Sequence, residues 1–181
     1  LLVNNKEVEN FYKQCGIPSS RIKILSSAIN VREYEEKLMP ADKARSLLGV
    51  NTSKDEVVIG YIGGLRPEKN LGILVIAFKD LLKEKPYVKA KLVLIGDGYM
   101  RERLKETVKR LGLIDHVIFL GFIPEAYRFL KAIDIFVLPS LSEGSPLVLL
   151  EAMMSSRAII ASNIPAIKEI VENGKEAFLF D

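Results

Sequence analysis

Residues Asp134–Glu151 read D-I-F-V-L-P-S-L-S-E-G-S-P-L-V-L-L-E. Ile135–Leu138 is a short, bounded apolar run, the pattern of a strand buried on both faces. Pro139-Ser140 breaks it, and small residues continue to Ser145. The pair Ser145-Pro146 predicts a helix start, with serine as N-cap and proline at the first helical position. A strand end, a glycine-containing loop and a helix N-terminus make an anion site. Two acids bracket that site, Glu143 in the loop and Glu151 on the second helical turn. With the helix starting near Pro146, Glu151 lies roughly 7–8 Å along the axis from the helix mouth. A diphosphate at the mouth would leave a ribose within reach of Glu151, whose carboxylate accepts hydrogen bonds from vicinal hydroxyls. The competing reading makes both acids solvated surface residues. The neighbours Leu147, Leu149, Leu150, Met153 and Met154 weigh against it for Glu151, because an acid on so apolar a helix needs a partner.

On both sides of this stretch, from Val57 onward, apolar strands alternate with helices. Strands are expected at Val57–Ile62, Leu92–Ile95, Val117–Leu120, Ala158–Ala161 and Ala177–Phe180. Helices are expected at Asn70–Lys85, Met100–Leu111, Pro124–Ala132 and Pro165–Glu172. Continuous apolar strands separated by helices imply an α/β fold: a doubly wound, Rossmann-like parallel sheet covered on both faces. Gly63, Gly64, Gly96, Gly98, Gly121 and Gly144 fall at strand C-terminal ends, the edge where such sheets bind ligands. The first 40 residues lack this rhythm. They hold a helix-like run, Lys6–Cys15, a short apolar run, Ile22–Leu25, and an aperiodic stretch, Ser26–Pro40. They read as the end of a preceding domain and a connection, with residues 41–181 forming the nucleotide-binding unit.

The run G-G-L-R-P-E-K-N, Gly63–Asn70, puts Arg66 and Lys69 at a helix N-terminus. The helix dipole disfavours cations there by a few tenths to about 1 kcal/mol each. A bound phosphate would reconcile them, through Lys69 as a point charge and Arg66 as a fork. A solvated turn partly balanced by Glu68 is the equal alternative. Gly96-Asp97-Gly98 is a tight turn rather than a dinucleotide fingerprint, since Arg101 stands where a third glycine would fall. The single histidine, His116, reads as structural.

The totals bound the rest. A chain of 181 residues, 49% hydrophobic, can bury one sizeable core. A net charge of +3 with mixed signs does not argue for nucleic acid. Cys15 is the only cysteine, so no disulfide framework exists and a cytoplasmic setting is the default. The modest basic balance is compatible with peripheral contact at the inner membrane face. No apolar run approaches a membrane span. Asp-x-Asp and Cys/His clusters are missing, so no metal site or cofactor is expected from local motifs.

Taken together, these segments resemble the C-terminal, donor-binding half of retaining GT-B glycosyltransferases, glycosyltransferase family 4 (group 1), over about Val57–Asp181. S-L-S-E-G-S-P-L-V-L-L-E-A-M carries the family's E-x7-E pair as Glu143 and Glu151. G-G-L-R-P-E-K-N is similar to its phosphate segment, and V-I-F-L-G-F-I-P to its nucleobase-side strand and loop. The resemblance implies that Glu151 holds the ribose and that Glu143 contacts the donor sugar near its anomeric face. Lys69, with Arg66, would stabilise the leaving diphosphate. Gly63, Gly64, Gly144, Ser145, Pro146, Leu147 and Val148 would line the sugar and phosphates, and Gly121 and Phe122 the base. It implies a UDP-sugar or GDP-sugar donor, no metal, and a carbohydrate or lipid-linked acceptor held by the N-terminal domain. Two departures stand out. Gly64 occupies a position where the family often has arginine, and Ser156 one where glycine is usual. A metal-free nucleotide-sugar epimerase and a degenerate, non-catalytic binding domain are the alternatives on the same scaffold.

Overall fold

The computed structural model describes residues 1–50 and 55–181. The chain opens with two short parallel strands, β1 (Leu2–Val3) and β2 (Lys23–Ile24), joined through helix α1 (Lys6–Gln14). Helix α2 (Val31–Lys37) lies in the stretch expected to be aperiodic. Only seven residues long, it is nucleated by Asn30, whose side chain accepts from the Glu33 amide. Helix α3 (Ala41–Leu48) ends at Gly49, which takes the left-handed conformation at φ 70°.

Six parallel strands then form one sheet. They are β3 (Glu56–Ile62), β4 (Lys89–Ile95), β5 (Val117–Gly121), β6 (Ile135–Leu138), β7 (Ala158–Ser162) and β8 (Phe178–Phe180), in the order β5-β4-β3-β6-β7-β8. The order reverses between β3 and β6, and the crevice at that switch point is where ligands bind in open α/β sheets. This is the doubly wound, Rossmann-like arrangement expected. Helices α4 (Leu71–Glu84) and α5 (Arg101–Arg110) pack against each other as crossovers on one side of the switch. Helix α6 (Leu147–Met154) connects β6 to β7 and packs on a 3₁₀ segment, Ala126–Ala132, which replaces the short α-helix expected there. The last helix, α7 (Pro165–Lys168), is shorter than the run to Glu172 predicted.

The core is the two-sided apolar sheet. Tyr61, Leu92, Leu94, Phe136 and Leu138 are completely buried. At about 25 cal/mol per Å² of apolar surface, each such side chain contributes about 1.5–3 kcal/mol. A part-buried ion pair fixes β6 at the start of the opening stretch. Asp134 Oδ2 accepts from Arg45 Nη2 at 2.6 Å and from the Val58 amide at 2.7 Å. The Asp134 amide donates back to Val58 O at 2.8 Å, locking β6 in register with β3.

At the C-terminal edge the backbone approaches itself closely. Gly96 has φ 139°, and a Cβ there would fall 1.8 Å from Gly63 O. Only glycine fits, and the close approach draws the two glycine turns together beside the switch point.

Candidate active site

The Ser140–Ser145 loop and the Pro67–Lys69 3₁₀ turn face each other across the switch point. Two contacts join them. The Leu141 amide donates to Glu68 O at 2.8 Å. Lys69 Nζ bonds both oxygens of Glu143, at 2.7 and 2.8 Å. Folding therefore answers the question of why a lysine sits ahead of helix α4: a carboxylate from another loop meets it. The Glu143 side chain is only 9% exposed and Lys69 20%. Such a pair is held by geometry rather than by bulk solvent.

Ser140 completes the arrangement. It is fully buried, and its hydroxyl donates to Glu143 Oε1 at 2.7 Å. Ser140 is not among the residues expected at the site, although a hydroxyl three residues before an acid in a tight loop is a local hydrogen-bonding pattern. Tyr61 is not among them either. Buried beneath the site, it donates its hydroxyl to Gly64 O at 3.0 Å and so supports the Gly63-Gly64 turn. Burial pushes its pKa well up, with Glu143 and Glu68 adding to the shift.

Helix α6 begins one residue later than expected. Pro146, with ψ 97°, is the cap itself, and no side chain caps the helix. Ser145 is not the N-cap: its Oγ accepts from the Ser27 amide at 3.3 Å, so it faces the N-terminal segment. The Leu149 amide already turns inward to Pro146 O at 3.0 Å. Ahead of it, the amides of Leu147 and Val148 are those a helix start leaves without an intrahelical acceptor. From Leu147, Glu151 sits about 6 Å along the axis at 1.5 Å per residue. Glu151 is partly buried, and no hydrogen bond or ion pair reaches its carboxylate among the described residues. Burial raises its pKa above the ordinary carboxyl value.

On the other side of the glycine turns lies a cavity of about 410 Å³. Gly63, Gly64, Arg66, Asp97 and Phe122 line it. Phe122 is 76% exposed, a large ring left open at the sheet edge, and Gly121 beside it is buried. Arg66 is 3.7 Å from Glu68 and reaches back over Gly64. A Cβ at position 64 would meet Arg66 Nε at 3.2 Å, so Arg66 borders the space a side chain at 64 would take. The structure thus brings Gly63, Gly64, Arg66 and Phe122 to one cavity, and Lys69 to Glu143. Among the described residues no group of three or more acids, cysteines and histidine is placed to hold a metal ion.

This edge, with its cation–carboxylate pair, uncapped helix start and open aromatic cavity, belongs to a parallel-sheet, Rossmann-like α/β domain. It is similar to the C-terminal domains of GT-B glycosyltransferases. The chain belongs to the glycosyl transferases group 1 family, whose model matches residues 47–181. It is 27% identical over 182 residues to the UDP-Gal:alpha-D-GlcNAc-diphosphoundecaprenol alpha-1,3-galactosyltransferase of Escherichia coli, covering all of this chain and 46% of that protein. It is 34% identical over 146 residues to the alpha-monoglucosyldiacylglycerol synthase of Streptococcus pneumoniae, covering 80% of this chain and 30% of that one. Among solved structures, Anabaena HepE in complex with UDP-glucose superposes with a TM-score of 0.85 at 26% identity, over 99% of this chain and 49% of HepE. The chain spans less than half the length of each of these relatives. Among the described residues no helix is long and apolar enough to cross a membrane.

Proposed function

We propose that the chain is the donor-binding half of a retaining, family 4-type glycosyltransferase. The observation that carries this reading is the Lys69–Glu143 pair, set across the switch point from an uncapped α6 start with an unpartnered Glu151 on its second turn. The donor is a UDP-sugar or GDP-sugar. Glu151 accepts from the ribose hydroxyls, and Phe122 and Gly121 flank the base. The diphosphate meets the Leu147 and Val148 amides, Lys69 and Arg66. Lys69 then shares its charge between Glu143 and the phosphate.

In the reaction the bond from the anomeric carbon to the phosphate oxygen breaks. The acceptor oxygen bonds to that carbon on the same face, and its proton passes to the departing phosphate. The positive charge that this departure needs comes from Lys69, Arg66 and the helix amides, so no metal ion is assigned a role. Residues 1–40 are read as the end of the acceptor domain and the linker, and the acceptor as a carbohydrate or lipid-linked sugar bound mainly outside this chain. Two relatives whose names carry a lipid, a diphosphoundecaprenol-linked sugar in one and a glucosyldiacylglycerol in the other, favour a lipid-linked acceptor. The site lies in the cytoplasm, peripheral to the inner membrane face.

Calorimetric titration of the chain with UDP, GDP and ADP tests the reading. One uridine or guanosine diphosphate is expected to bind weakly, without turnover by the chain alone. Absence of binding by all three at millimolar ligand overturns it.

A further inference from the structure

The loop that carries Glu143 is held on its far side by residues outside the six-stranded sheet. Asn5 is only 3% exposed, although it lies in the N-terminal segment. Both ends of its side-chain amide are used. Oδ1 accepts from the Val8 amide at 2.8 Å and so caps helix α1. Nδ2 donates to Gly144 O, 139 residues away and next to Glu143. Asn4 closes on the same glycine, since a Cβ at 144 would lie 2.7 Å from Asn4 Nδ2. The Ser27 amide donates to Ser145 Oγ at 3.3 Å. The segment is itself anchored, because the Lys6 amide donates to Glu169 Oε1 at 3.0 Å, just beyond α7.

The Leu141–Ser145 loop is therefore pinned from two directions, with its Gly144 carbonyl held by Asn5. Glu68 and Lys69 hold it from the sheet, and Asn5 and Ser27 from the N-terminal segment. A buried amide that spans two elements with both of its ends is worth most where it fixes a geometry. Glycine at 144 allows the close approach but gives the loop no side chain to hold it.

We propose that Asn5 is a positioning residue for the sugar end of the donor site. By fixing the Gly144 carbonyl it sets the backbone that aims Glu143, while the nucleotide end on α6 is built without it. The proposal rests on the donor-site reading above. It makes the N-terminal segment a working part of the site rather than a passive connection. It also predicts that donor-sugar affinity depends on how that segment docks.

The discriminating variant is Asn5→Ser. Serine keeps the α1 cap but is too short to reach Gly144. Two readouts are compared with the unaltered chain: hydrogen exchange of peptides spanning 141–147 and 6–14, and binding of UDP and UDP-glucose, or of GDP and GDP-mannose if the unaltered chain prefers guanosine. Exchange in 141–147 is expected to rise while 6–14 stays protected. Affinity for the nucleotide-sugar is expected to fall by about 3- to 10-fold, the loss of one hydrogen bond, with affinity for the bare nucleotide unchanged. Unchanged exchange in 141–147 overturns the proposal. An equal fall for nucleotide and nucleotide-sugar overturns the assignment to the sugar end. If the unaltered chain binds no nucleotide at all, the donor-site reading and the sugar role fail together. The exchange measurement then still decides whether Asn5 holds the loop.

Discussion

The two carboxylates that flank the α6 start live under opposite conditions. Glu143 is wired in before any ligand arrives: Lys69 grips both of its oxygens and Ser140 donates to one. Glu151, on the second turn of α6, has no partner among the described residues and a pKa raised by burial. One end of the site is organised by the fold, and the other is left for a ligand to complete. That division suits a transferase. On the proposed reading, Glu143 near the reacting carbon must be in place at the moment of reaction, whereas Glu151 at the ribose can gain its hydrogen bonds on binding.

Removing the lysine tests the organised end most severely. In the full-length enzyme, Lys69→Ala is expected to lower kcat/KM by about 10²–10³-fold, the scale of losing one preorganised charge-stabilising donor. It also leaves Glu143 nearly buried without its cation, so thermal stability should fall alongside activity. Steady-state kinetics with donor and acceptor supply the measurement, and an unchanged kcat/KM would remove Lys69 from the phosphate role.

The unsatisfied end makes the opposite forecast for stability. Glu151→Gln keeps the shape but removes the charge. Nucleotide affinity should fall by about 1.5–3 kcal/mol, the value of hydrogen bonds to a charged group. The sign of the stability change follows from the raised pKa. The folded chain holds the Glu151 proton more tightly than the unfolded chain does. The stability this contributes is complete below the ordinary carboxyl value of 4.5 and is lost as pH rises through the higher folded value. At pH 7 the ionised carboxylate is a burden, so Glu151→Gln should melt above the unaltered chain, and the gap should close below pH 4.5. Thermal melts at both pH values check this. A variant less stable at neutral pH would mean that Glu151 has a partner in the apo protein.

Ser140→Ala sharpens the comparison with a smaller effect. It deletes one of the three hydrogen bonds to Glu143, leaving Lys69 to hold a carboxylate free to swing. A fall in kcat/KM of about tenfold is expected, near 1.4 kcal/mol, with KM for the donor little changed. If KM rises and kcat does not, Glu143 serves binding rather than the reacting end.

How much of this was legible beforehand follows from the range of the forces involved. Apolar runs and glycine stops gave the sheet, because the strands are buried on both faces and need no partner information. Ile135–Leu138 was located to the residue. Pairings between distant segments were invisible. Lys69–Glu143 joins residues 74 apart, and Asn5–Gly144 joins residues 139 apart. Nothing local marks either. The reading of Ser145 as N-cap failed for a related reason. Its local signal was sound, but the hydroxyl is engaged by Ser27, so Pro146 becomes the cap and the helix starts at Leu147 with no side-chain cap. The raised pKa of Glu151 was foreshadowed, since an acid among leucines and methionines needs no tertiary detail to look costly.

The helix that carries Glu151 is followed by a strained turn, just past its C-terminal end. Ser156, just past α6, has φ 56°, a left-handed conformation that serine adopts at a cost of about 1–2 kcal/mol. Its amide still closes the helix by donating to Met153 O at 3.0 Å, so the turn is enforced by hydrogen bonding rather than by residue preference. Glycine would relieve the strain, and its greater freedom in the unfolded chain would return about 0.5–1 kcal/mol of that gain. Ser156→Gly is therefore expected to stabilise the chain by no more than about 1 kcal/mol, read as a small rise in Tm, with nucleotide affinity unchanged. The combination with Glu151→Gln separates two accounts of α6. Additive stability gains mean that the acid and the strained turn act independently. A shortfall from additivity would mean that relaxing the turn lets the helix shift and gives Glu151 the solvent it lacks.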